Sequence, residues 1–380
     1  MTGEFETIAA ANVPSDRVLA AWHAWLSALA TDAEAALAAA LSYEALDGEG
    51  RTLWLDALDQ DVPELEVPKV AGGISRVDLE LKMKGAYSPV LDPDDYRCFP
   101  IDWPYQDLRY ITGFNAVPGN TAIVHHIALY AVGPDNAEQP IQWDAEEPGD
   151  GYTCFGGPNG SHPADIPIQL LGFWVPGSNG MDLPEGLGLP VKPGSRLVLQ
   201  LHYNRGKDQT DQTALQFKVD TEVQRPAYYL PFLKLDWVVG NMKIPAGAKS
   251  VQHAWIDDPR NFWSLIAPDA QFPNGFDIYA TAFHMHQLGV SGSTSIIRAD
   301  NTRKKLLDIP DWDFHWQREY RLSEPVVFNA DDKLELRCNF DNSPEHQPYI
   351  NGVQKIPADV NWGEGTGDEM CESTLLISPR

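Results

Sequence analysis

Basic residues, cysteines and long apolar runs are all scarce in this chain, and each scarcity removes a class of function. Only 28 Lys and Arg stand against 54 Asp and Glu, a formal charge of −26. That balance excludes a nucleic-acid binder, because neutralising phosphates requires clustered cations. The same field attracts cations, metal ions or a cationic substrate, although acidity also serves solubility alone. No run of about 18 apolar residues exists, so a transmembrane helix is not expected. The start, Met1-Thr2-Gly3-Glu4-Phe5-Glu6, lacks the basic and apolar parts of a signal peptide. A cytosolic chain, or one whose leader has been replaced by a start Met, accounts for this. Only four cysteines occur, Cys98, Cys154, Cys338 and Cys371, without a CxxC pair. Two disulfides suit that number better than a zinc site. No internal repeat is visible.

What is present describes a globular protein. The 380 residues suffice for two or three domains, and 43% hydrophobic content argues against wholesale disorder. Residues 1–72 read as a small helical region. Ser15 is a candidate cap, and Leu19, Trp22, Trp25, Leu26 and Leu29 fall at helical spacing. From residue 73 the period changes to two. Arg76–Met83, Ser195–Tyr203, Asp277–His286 and Lys333–Phe340 alternate apolar and polar residues, as half-buried strands do. Thirty Gly and thirty Pro punctuate short strands. The expectation is a mainly β protein with two antiparallel jelly-roll or Greek-key sandwiches, spanning 73–225 and 226–380, after the helical region. Gln224-Arg225-Pro226 marks the preferred boundary between them.

Histidines carry the strongest chemical signal. His284 and His286 are two apart in Tyr279–His286, so on a strand both imidazoles face one side and can share an ion. His125 and His126 are adjacent, and neighbours on a regular strand face opposite ways. Joint ligation there requires a strand end or a bulge. His202 shares a strand face with Val198, Gln200 and Asn204, and a lone strand histidine is more often simply hydrogen bonded. His23, His162, His253, His315 and His346 have no comparable partners and read as structural. Met370 lies among Gly, Asp and Glu beside Cys371, rather than in an apolar run. A thioether completing a two-imidazole site selects a soft redox ion, copper(I) above all, whereas zinc takes thiolate or carboxylate.

Val124-His125-His126, Leu199-Gln200-Leu201-His202-Tyr203, His284-Met285-His286-Gln287-Leu288-Gly289 and Asp368-Glu369-Met370-Cys371 stand in this order along the chain. Together they resemble the copper type II, ascorbate-dependent monooxygenases, such as peptidylglycine α-hydroxylating monooxygenase and dopamine β-monooxygenase. Residues 1–72 lie outside the resemblance. It implies two coppers per chain, one in each β domain, facing each other across a cleft. His125, His126 and His202 match the ligands of the electron-donating copper, and His284, His286 and Met370 those of the catalytic copper. Gln200 and Tyr96 match positions near the cleft. Ascorbate is then the reductant, dioxygen the co-substrate, and the reaction hydroxylation of a substrate C–H bond. The resemblance also implies Cys98–Cys154 and Cys338–Cys371 bridges, each closing a loop and each stabilising by about 4 kcal/mol in the chain-entropy model. Bridges and copper chemistry together favour a secreted or periplasmic location.

Departures from the family pattern bear on substrate. Ala282 stands where the peptide-hydroxylating enzymes carry an arginine for the peptide carboxylate. Glu372 and Thr374 replace an Asn and a Tyr after the Met-Cys pair. A peptidylglycine substrate is therefore not expected; another small molecule or peptide is, and Glu372 either pairs with an amine or faces solvent. The alternatives are a non-catalytic copper protein for storage, delivery or sensing, and an interaction module in which residues 1–72 recruit a partner and the β part is scaffold.

Overall fold

The structure, a computed structural model, describes residues 73–380 apart from 92, 161, 163–165, 177, 205–208, 267–271, 315–316 and 351–352. The expected helical region 1–72 lies outside the described residues, as do His23 and His315.

The period-two segments become strands. Those expected around Arg76–Met83, Ser195–Tyr203, Asp277–His286 and Lys333–Phe340 are observed at Leu79–Lys82, Arg196–Asn204, Phe276–His284 and Lys333–Phe340. They assemble into four main sheets. One has six strands and another five, and a shared core of Ile111, Leu129, Leu199 and Phe217 is contributed by both. Two four-stranded sheets follow, with Phe276, Phe328, Leu336 and Phe340 between them. Strand order within each sheet departs from chain order, and pairing is antiparallel except where Arg225–Pro226 runs beside Leu187–Gly188. After that pair the chain enters Tyr228–Phe232, which pairs with Glu372–Pro379 in the second set of sheets. The fold is thus mainly β and made of two sandwiches.

Two short helices interrupt the strands, Gln139–Glu146 and Pro259–Ile266, and neither is foreshadowed by the alternating pattern. Both bridges form, Cys98–Cys154 and Cys338–Cys371. No helix among the described residues is long and apolar enough to cross a membrane.

Three neighbouring strands of the five-stranded sheet set up the first histidine group. Arg196–Asn204 is central, flanked by Asp94–Asp102 and Val124–Val132. Alternation alone makes one face of Arg196–Asn204 polar, yet both faces are buried. Leu197, Leu199, Leu201 and Tyr203 enter the sandwich core. The opposite face is covered by Tyr96, Cys98, Cys154, Trp143 and Tyr152.

Candidate copper sites

Register places the first group. His202 is opposite Tyr96 on one side and His126 on the other, so all three side chains share the covered face. Pairing runs from Val124↔Tyr203 to His126↔His202 and skips His125. That irregularity lets two consecutive imidazoles turn toward one point, the bulge that adjacent histidines require. Nδ1 of His126 lies 3.3 Å from Nδ1 of His125 and 3.3 Å from Nδ1 of His202. The donor atoms of the three residues all lie within 4.8 Å of one another. Nitrogens held about 2.0–2.1 Å from one ion at trigonal or tetrahedral angles are separated by about 3.3–3.6 Å, so the spacing fits a shared metal.

The opposite ring nitrogen of His202 decides its tautomer. Its Nε2–H donates to Asp94 Oδ1 at 2.8 Å, which leaves the Nδ1 lone pair for a ligand role. Burial lowers the His202 pKa, against the raising effect of Asp94. His126 is held well below its ordinary value, first by burial and then by the neighbouring imidazoles. Burial pushes the Asp94 carboxyl up, but hydrogen bonds from His202 and Thr366 outweigh it and hold the group at about 2. Tyr96 stacks on His202 with ring centres 4.1 Å apart. Gln200 is buried behind it and donates to the Cys154 carbonyl at 3.1 Å.

The second group is built at a strand end. His284 is the last residue of Phe276–His284, and His286 lies beyond it in the following turn, rather than on the strand as its spacing suggests. Glu369 makes that turn possible: its buried carboxylate accepts the backbone N–H of His286 at 2.8 Å and that of Leu288. Burial raises the Glu369 pKa to about 8 despite these donors. His284 Nδ1–H donates to Gln317 Oε1 at 2.6 Å and His286 Nδ1–H to the Asp368 carbonyl at 3.0 Å. Both rings therefore keep Nε2 free, with ring centres 5.0 Å apart. Burial lowers both pKa values, that of His286 far below its ordinary value. Met370 is buried, follows Glu369 directly and precedes the bridged Cys371.

One cavity of about 290 Å³ joins the groups, with His125, His126, His284 and Met370 in its lining. Phe314 stacks on His125 at 5.3 Å and meets His286 edge-on at 5.8 Å, so one ring touches a histidine of each set. Ala282 and Thr374 are cross-strand partners, as are His284 and Glu372, and all four come from the paired strands Phe276–His284 and Glu372–Pro379. Glu372 is half-buried on the cavity wall with Thr374 donating to it at 3.2 Å, so it does not stand free in solvent. His162 stacks on Trp143, and His253 lies 3.0 Å from the Lys243 carbonyl through Nε2.

Two family models match the chain: the copper type II ascorbate-dependent monooxygenase N-terminal domain over residues 79–210 and the C-terminal domain over residues 238–376. The chain belongs to this family. Among curated relatives of this chain, DBH-like monooxygenase protein 1 of Homo sapiens is 25% identical over 283 residues, 69% of this chain and 40% of the human protein. The Gallus gallus protein of the same name is 23% identical over 312 residues, 77% of this chain and 46% of its own length. The chain thus spans less than half the length of these relatives. Among solved structures, PNGase F, a glycosylasparaginase from Flavobacterium meningosepticum, aligns over 79% of this chain and 95% of its own. That alignment has 10% identity and a TM-score of 0.33, too weak a likeness to support any argument.

Asp94, Thr366, Glu364, Gln317 and Phe314 were not legible as site residues, and Glu369 was legible only as a member of the Asp368–Cys371 motif, without a role. Of the first five only Asp94 carried a signal: it lies two and four residues before Tyr96 and Cys98, on the same strand face.

Proposed function

We propose that the protein hydroxylates a C–H bond of a small molecule or peptide, using dioxygen and ascorbate as co-substrates and two coppers per chain. His125, His126 and His202 would hold the electron-transfer copper, and His284, His286 and Met370 the catalytic one, in domains spanning 73–225 and 226–380. The observation that most supports this reading is the convergence of three imidazoles, with His126 Nδ1 3.3 Å from the Nδ1 atoms of both His125 and His202, beside a cavity shared with the second set. Copper so held supplies one-electron chemistry and dioxygen binding, which side chains lack.

The chain's own residues do the rest. Asp94, Gln317 and the Asp368 carbonyl lock the imidazoles in ligating tautomers, which removes reorganisation from ligand binding. Met370 favours the cuprous state. Leu170, Phe173 and Trp174 give the cavity an apolar wall that excludes water from the reacting centre. At its polar side stand Glu364, Glu372 and Arg318, two carboxylates to one guanidinium. That excess and Ala282 favour a substrate with an amine over one with a carboxylate. The two bridges favour an exported, oxidising location.

Copper analysis and ascorbate-dependent oxygen consumption against an amine and peptide library test the proposal. Two coppers per chain and substrate-stimulated oxygen uptake with a hydroxylated product are expected. Stable copper binding with no substrate stimulation would instead favour the non-catalytic alternative.

A further inference from the structure

The loop 363–370 belongs to the second sandwich, where it leads into Met370 and supplies the Asp368 carbonyl that bonds His286. Its own turn is tight: Gly365 N–H donates to Asp368 Oδ2 at 3.1 Å, and a Cβ at Gly363 would come within 2.4 Å of the same oxygen. Yet its outer contacts go to the first sandwich. Thr366 donates through its backbone N–H to Asp94 Oδ2 at 3.1 Å and through its hydroxyl to Asp94 Oδ1 at 2.6 Å. Asn204 Nδ2 donates to Thr366 Oγ1 at 2.8 Å and to Asp94 Oδ1 at 3.2 Å. Nearby, the Tyr96 hydroxyl donates to the Glu364 carbonyl, and Glu364 Oε2 accepts the Gly156 N–H at 2.9 Å.

These bonds converge on His202. Asp94, which holds the loop at Thr366, also accepts His202 Nε2–H; Tyr96, which holds it two residues earlier at Glu364, stacks on the same imidazole. We propose that Asp94 is a positioning residue that couples the two histidine sets, by orienting His202 and anchoring through Thr366 the loop that carries Met370. Occupation of the first set would then hold the second set's loop in place, although no ligand is shared. A carboxylate suits this task because it accepts several donors at once, and bonds to an ionised acceptor are stronger than neutral ones. The coupling is reciprocal, since the loop's order must stabilise ligand binding at His202 by the same factor.

The inference rests on the reading of both histidine sets as copper sites, but its first test needs no copper. Hydrogen–deuterium exchange of the copper-free full chain reads the protection of residues 364–370. Thr366→Val removes the hydroxyl and leaves Asp94 on His202; Asp94→Asn weakens both contacts. Each is expected to speed exchange at 364–370 about tenfold, the equivalent of one such bond, while the strand 333–340 is unchanged. The second test confines copper(I) to the first set with His284→Ala. Copper(I) is expected to slow exchange at 364–370 in that variant and to leave it unaltered in His284→Ala with Thr366→Val. Unchanged exchange in Thr366→Val, or copper protection that survives it, overturns the coupling. A chain that takes up no copper but shows faster exchange in both single variants keeps the clamp and overturns the metal reading.

Discussion

At the first histidine group the nitrogens that converge are Nδ1, whereas at the second both Nδ1 atoms are engaged by oxygen and Nε2 is left free. The side chain is the same; the acceptor behind it differs. Asp94 takes the Nε2–H of His202 inside a sheet buried on both faces, and Gln317 and Asp368 take the Nδ1–H of His284 and His286 at a strand end. The first arrangement uses a bulge to bring three imidazoles together. The second uses a turn held by Glu369, the residue that precedes Met370. An acceptor placed behind an imidazole thus chooses the ligating atom, and backbone irregularity chooses how many imidazoles meet. Each group also has its own bridge: Cys98–Cys154 behind Gln200, and Cys338–Cys371 beside Met370.

The sharpest way to break the comparison is to remove one imidazole from each group. His202→Ala and His284→Ala are each expected to lose about one copper of two, from different sites, with activity down by at least about 100-fold, because the proposed reaction needs both metals. Loss of both coppers from either variant, by metal analysis of the dialysed protein, would show that the groups are one site.

Met370→Ile separates the thioether from the imidazoles. Packing is expected to change by less than about 1.5 kcal/mol, with most copper retained and hydroxylation nearly abolished. X-ray absorption of the reduced protein is expected to show copper–sulfur scattering that this substitution removes. Near-normal turnover would reduce Met370 to a packing residue beside the bridge.

Replacing both Cys338 and Cys371 by Ser is expected to cost about 2–5 kcal/mol in denaturant melts and to impair the second group before the first. Four free thiols in the unaltered, unreduced protein would remove the bridges from the argument.

The smallest effect concerns pH. Burial raises the Glu364 carboxyl to about 7, with Glu372 adding to the shift. The group is neutral below that value and ionised above it, so an amine substrate's KM is expected to fall by up to about tenfold as pH rises through 7, with Glu364→Gln flattening the profile. For folding the sign is opposite. The folded chain keeps a proton that the unfolded chain releases near the ordinary carboxylate value, so this residue costs stability as pH rises from there to about 7, and Glu364→Gln gains most at alkaline pH.

Sequence alone determined the class of the protein. Alternation at Leu79–Lys82 or Lys333–Phe340 follows the inward and outward faces of a strand, and that record is local, so strands and a mainly β fold could be read directly. The histidine and methionine motifs are equally local, since ligand type is a property of single side chains. What spacing could not decide was direction. His125 and His126 point the same way only because the ladder with Arg196–Asn204 slips by one residue, and a slip is a property of two strands that are distant in sequence. His286 leaves its strand because Glu369, 83 residues later, takes its N–H. Asp94, Gln317 and Phe314 gained their roles through contacts with partners 33 to 272 residues away, or through stacking across the two sandwiches. Hydrogen bonds and ring contacts join atoms in space without leaving any period in the chain, and for that reason tertiary structure alone decided them.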